Sequence, residues 1–132
     1  MRDLFQEQLN ELNRELTIMG SSCEEIIALA SRALTDWDEE LVQKVNTIGT
    51  QIDESERTIE TICMKLLLRQ QPVARDLRQI SAAMKMITDM ERIGDQAEDI
   101  VEIVPYMNAH PDEKFPKIRE MAKAAQTMVT DA

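Results

Sequence analysis

The chain has 132 residues, 43% of them hydrophobic and 3% aromatic, with three Gly, four Pro and nine Met. Its formal charge of −10 argues against a nucleic-acid backbone as partner and suits cations or a basic patch on another protein. The length allows one domain with a real core, and the scarcity of Gly, Pro and aromatics favours long helices over a sheet.

The first helical pattern is nearly explicit. Phe5, Leu9, Leu12, Leu16, Met19, Cys23, Ile26, Ala30 and Ala33 step by alternating fours and threes, a heptad seam that predicts a helix from about residue 3 to 34. Thr35-Asp36-Trp37-Asp38 supplies a short turn and an N-cap. A second helix carries Leu41, Val45, Ile48, Ile52, Ser55, Ile59, Ile62 and Leu66, and should end near Gln70, ahead of Pro72. A third starts with Pro72 in its first turn and carries Ile80, Ala83, Ile87, Met90, Gly94, Ala97, Val101 and Val104. Pro105 marks its expected end, followed by a loop at Tyr106–Glu113. A fourth pattern begins near Phe115 and continues through Ile118, Met121 or Ala122, Ala125 and Val129.

Short connections make the expected fold an all-α, up-down-up bundle of three long antiparallel helices plus a partial fourth. A coiled-coil fibre is the rival, and the two tight turns argue against it. The apolar face of residues 115–132 invites association, either on its own bundle or in a homodimer. Cys23 and Cys63 fall on apolar faces and read as two buried thiols. Gly20 and Gly94 lie inside helices, where close helix approach is the simplest reason for them. No apolar run nears the roughly 18 residues of a membrane span and no signal peptide opens the chain, so it reads as soluble and cytoplasmic.

One stripe of the third helix, Leu77, Ile80, Met84 and Ile87, continues as Glu91, Asp95, Glu98 and Glu102. An apolar stripe that turns acidic asks for a positive partner. Folding the second and third helices back at Gln71-Pro72 puts Asp53 level with about residue 90 and Gly49 with about residue 94. Asp53 then faces Glu91 and Asp95, with Glu56 and Glu60 nearer the bend on the same flank. Three carboxylates make an oxygen-rich site for a hard divalent cation. The same spacing also fits a solvated charged face with local pairs, such as Asp53 with Arg57 or Glu91 with Arg92.

Other chemistries lack their residues. A di-iron oxidase would need two Glu-x-x-His motifs, and there are none. The single histidine, His110, sits beside Pro111 in the expected loop rather than in mid-helix, where a phosphotransfer module would display it. There is no Gly-rich phosphate loop and no Ser-His-Asp set.

Gln70-Gln71-Pro72-Val73-Ala74-Arg75-Asp76-Leu77-Arg78 and Asp89-Met90-Glu91-Arg92-Ile93-Gly94-Asp95-Gln96-Ala97-Glu98-Asp99-Ile100, with the weaker opening Phe5 through Gly20, resemble the PhoU family of phosphate-uptake regulators. Together these stretches span residues 1–104. Met121 through Met128 is patterned like Leu12 through Met19 and resembles the start of the family's second repeat. The resemblance implies a three-helix repeat at 1–108 and the start of a second, truncated repeat at 109–132. It also implies a non-enzymatic negative regulator between a phosphate ABC transporter ATPase and a phosphate-sensing histidine kinase, cytoplasmic or held at the inner face of the membrane by those partners.

Some members of the family that the chain resembles bind metal ions or clusters through paired Glu/Asp-x-x-x-Asp motifs. One matches in full here as Glu91-x-x-x-Asp95. On the second helix Asp53 is present, but Gly49 stands where an acid is common, which implies one ion or an incomplete cluster of Mg, Mn, Fe or Zn. Asp99, where Asn is common, adds an acid one turn beyond Asp95. The expected metal residues are thus Asp53, Glu91, Asp95 and Asp99. A metal-storage bundle and a metal-free helical scaffold are the alternatives.

Overall fold

The computed structural model describes residues 2–69 and 72–109, and positions 120, 123, 124 and 127. Three long helices account for it: α1 (Arg2–Thr35), α2 (Glu39–Arg69) and α3 (Ala74–Ala109). Each packs on both of the others. The turns are short and the chain runs up, down and up, as expected. No strand occurs among the described residues, and none of their helices is long and apolar enough to cross a membrane. The apolar positions expected of the fourth helix lie outside the described residues, although Glu120, Lys123, Ala124 and Thr127 have helical backbone and are exposed.

The heptad seams meet in one core. Phe5, Leu12, Met19, Cys23 and Ile26 of α1 are buried with Val45, Ile52, Ile59 and Leu66 of α2 and Ile80, Ala83, Ile87, Ala97 and Val101 of α3. Leu16 is only half-buried at the edge of this core, not at its centre as its heptad position suggests. Cys23 and Cys63 are free and buried, and the Cys23 thiol donates to the Met90 carbonyl at 3.5 Å. Burial pushes the Cys23 thiol up to about 11 and raises Cys63 too, with the Glu60 charge adding to the latter. Both thiols are therefore inert packing groups.

The caps explain where the helices begin. Asp38 Oδ1 accepts from the Glu40 N–H at 2.8 Å, and the Asp38 carbonyl accepts from Leu41 N–H at 3.1 Å, so Asp38 is the N-cap of α2. The Val73 carbonyl accepts from Leu77 N–H at 3.0 Å, which places Pro72 just ahead of α3 rather than within its first turn.

The far end of α3 departs from expectation. Pro105 lies inside the helix, which runs on to Ala109, so Tyr106 to Ala109 is helical rather than loop. A proline in mid-helix costs about 3 kcal/mol through its missing N–H and its clash with the preceding turn. Val104 and Met107 explain why the helix continues: both are buried against Leu34, with Trp37 and Ile100 packed alongside.

The glycines also separate. A Cβ on Gly94 would lie 3.2 Å from Ile52 Cδ1, so α2 and α3 do approach closely there. A Cβ on Gly20 would meet nothing within 4 Å, so close approach is not its reason. Gly20→Ala should accordingly stabilise the protein by about 0.5–1 kcal/mol, whereas Gly94→Ala should give no gain. Leu12→Ala should cost roughly 2–5 kcal/mol, and Leu16→Ala clearly less. Equilibrium unfolding in denaturant measures all four, and equal costs at Leu12 and Leu16 would contradict the packing described.

Candidate functional site

The acidic half of the α3 stripe, from Glu91 onward, does not point into the core. In the expected stripe, Ile80 and Ile87 are buried, Met84 is half-buried and Leu77 is exposed. The buried seam repeats every 3.5 residues, so a stripe drawn at 3.6 slides off it toward the α2 side. Glu91, Asp95 and Glu98 therefore lie along the edge where α3 meets α2, within reach of both water and α2 side chains.

There the predicted grouping forms. One carboxylate oxygen from each of Asp53, Glu91 and Asp95 lies within 4.8 Å of the other two, with Glu91 half-buried and the aspartates exposed. Glu91 and Asp95 are one turn apart on α3, and Asp53 comes across from α2. An oxygen shell around a hard divalent cation has a radius of about 2.0–2.6 Å and so spans about 4–5 Å. The three groups fit such a shell after small side-chain rotations. Asp99 is outside the group; it lies one turn further along α3, exposed, and its charge acts on Asp95.

Two further carboxylates belong to the cluster. Glu56 is hydrogen-bonded to Glu91, which requires a proton between them, and its carboxyl is pushed up to about 7. That bond is the largest cause, followed by desolvation and by the charges of Glu91, Glu60 and Asp53. Glu98 reaches across from α3 to Gly49 of α2, where its carboxylate occupies the space that a side chain at position 49 would take. Helical side chains lean toward the N-terminus, so a residue covers surface below its own Cα; this brings Glu98 down to the level of Gly49. Partial desolvation raises both Asp95 and Glu98, and the neighbouring acids add to it, Glu91 first for Asp95 and Asp95 first for Glu98.

Among the described residues, no basic side chain forms an ion pair with this cluster. Among the described residues, neither Asp53 with Arg57 nor Glu91 with Arg92 forms an ion pair; the pairs present are Lys44–Glu40 at 3.9 Å and Lys85–Asp89 at 3.0 Å, both away from the cluster. The solvated-face alternative thus loses its local pairs. The cluster relieves its charge by retaining a proton, and it offers the oxygen-only donor set that Mg, Mn or Fe accepts more readily than Cu.

A family model described as "PhoU domain" matches residues 16–104. The chain is similar to three proteins named phosphate-specific transport system accessory protein PhoU homolog. That of Clostridium acetobutylicum is 35% identical over 99% of this chain and 61% of its own length. That of Pseudomonas aeruginosa is 33% identical over 97% and 54%, and that of Aquifex aeolicus 34% identical over 98% and 58%. The chain thus spans little more than half the length of these relatives. No solved structure gives a significant match.

The raised Glu56 carboxyl sets a pH dependence. A carboxyl whose folded-state pKa lies above its unfolded value contributes stability that is full below the unfolded value, here 4.5, and is lost as the pH rises through about 7. Asp95 and Glu98 act with the same sign. In chelator, the melting temperature should therefore fall between about pH 5 and about pH 8. Glu56→Gln, which keeps a donor without the charge, should flatten that slope. An unchanged slope in Glu56→Gln would contradict the shared proton.

Proposed function

Because this chain belongs to the PhoU family, we propose that it is the first repeat of a non-enzymatic negative regulator of phosphate uptake and phosphate-responsive signalling. The observation that carries this reading is similarity over nearly the whole chain to relatives named as accessory proteins of the phosphate-specific transport system. In this reading residues 1–108 form one three-helix repeat and 109–132 begin the next. The protein acts in the cytoplasm, at the inner face of the membrane, as an adaptor between the transporter ATPase and a sensor histidine kinase. A homodimer, built on the apolar face of residues 115–132, is part of the same proposal.

The acidic cluster is the element that tunes the adaptor. Asp53, Glu91 and Asp95 would hold a divalent ion (Mg, Mn, Fe or Zn), with Glu98 placed over Gly49 as a further oxygen donor and Asp99 one turn beyond. A bound ion supplies positive charge that neutralises the carboxylates. Asp53 of α2 and Glu91 and Asp95 of α3 would hold it, and its charge would favour loss of the Glu56 proton and bridge the two helices. The affinity is modest, because the aspartates are exposed and the first donor set has three members.

Capture experiments test both parts. The complete two-repeat protein should retain the transporter ATPase and the histidine kinase, and Mg2+ or Mn2+ should change the yield. Glu91→Gln with Asp95→Asn should abolish the metal dependence and the accompanying rise in melting temperature. Capture of neither partner would contradict the adaptor role; an unchanged metal response in the double variant would contradict the ion site alone.

A further inference from the structure

Charge is unevenly distributed along this acidic chain. Residues 61–78 hold four basic residues (Lys65, Arg69, Arg75 and Arg78) and one acid (Asp76), a net of +3 in a chain of −10. Asp76 is buried. The end of α2, the bend and the start of α3 lie in this segment, so the basic residues gather at one end of the bundle. Lys65, Arg75 and Arg78 are exposed there and make no ion pair with any described residue.

The same end exposes apolar surface. Leu4 of α1, Met64 and Leu68 of α2, Val73 at the bend and Leu77 of α3 are between 42% and 76% exposed. Among the described residues, five of the nine exposed large hydrophobic side chains thus sit at one end; Ile18, Met86, Ile103 and Tyr106 lie elsewhere along the helices. Asp3 and Glu7 at the start of α1 are acidic, which confines the basic patch to the α2–α3 side of this end.

We propose that this end docks on an anionic lipid surface, with Leu68 and Val73 entering the headgroup region and Lys65, Arg75 and Arg78 contacting lipid phosphates. Apolar tips flanked by Lys and Arg are what such an interface binds. The acidic cluster does not oppose it. Glu56, the member of the cluster on α2 nearest the bend, is about 14 Å along the helix from Lys65 at 1.5 Å per residue, while charges are screened within about 8 Å at physiological ionic strength. An acidic helix of a partner protein fits less well. The apolar residues come from three helix ends, and the outer face of α2 offers it only Met64 and Leu68 beside Arg57, Glu60 and Lys65. The docking is independent of the regulatory role and of the ion site.

Cosedimentation of the full chain with vesicles tests it, using phosphatidylcholine alone or with about one-third phosphatidylglycerol. Binding to the anionic vesicles should be at least about tenfold stronger and should fall as salt rises. Leu68→Ser with Val73→Ser, and Lys65→Glu with Arg78→Glu, should each weaken it about tenfold or more with helicity retained. Ile18→Ser and Lys44→Glu should bind as the parent does. Equal binding to both vesicle types, binding to neither, indifference to salt, or full binding by either tip variant would overturn the proposal. Capture of an acidic amphipathic peptide by this end without vesicle binding would overturn it in favour of a protein partner.

Discussion

Burial of one apolar seam shared by three helices is the constraint on which everything else in this molecule depends. Each helix is more than 30 residues long and too polar overall to fold alone. The seam fixes which face each helix turns inward, and the short turns fix the antiparallel order. The strength of that constraint is visible at Pro105. There the packing of Val104 and Met107 on Leu34 carries α3 through a residue that would otherwise end it.

The seam also creates the acidic cluster. Because Ile52 must lie against Gly94 and Ile87 must be buried, Asp53 is brought across from Glu91 and Asp95 at the edge of the same interface. Like charges gathered in this way repel, and the fold accommodates them by holding a proton between Glu56 and Glu91. The energy of the core thus holds together a constellation that would disperse by itself. That is the condition for a site whose occupancy can feed back on the packing of α2 against α3.

Much of this was legible in the residues. The heptad steps from Phe5 to Ala33, from Leu41 to Leu66 and from Ile80 to Val104 named the core, and an antiparallel hairpin at Pro72 brought Asp53 to Glu91 and Asp95. What escaped was set by packing rather than pattern. Leu16 holds a seam position between the buried Leu12 and Met19 yet lies at the edge of the core, and Leu77 is exposed beside a seam that runs through Asp76 and Ile80. Gly20 and Gly94 look alike in sequence and differ only in what lies opposite. Glu98 reaches Gly49 because side chains lean toward the helix N-terminus, which counting residues from a turn does not capture. The roles of Glu56 and Glu98 had one available signal, their place on the flank shared with Asp53 and Glu91.

The central claim is that the fold forces these carboxylates together. A carbon-13 NMR titration of the Asp and Glu side-chain carboxyls reads this directly, in chelator and again with saturating Mg2+. The account predicts that Glu56 titrates at about 7 without metal, that Asp95 and Glu98 titrate above the ordinary carboxylate range, and that the ion moves all three downward. Ordinary titration of Glu56, Asp95 and Glu98, unaltered by the ion, would contradict it.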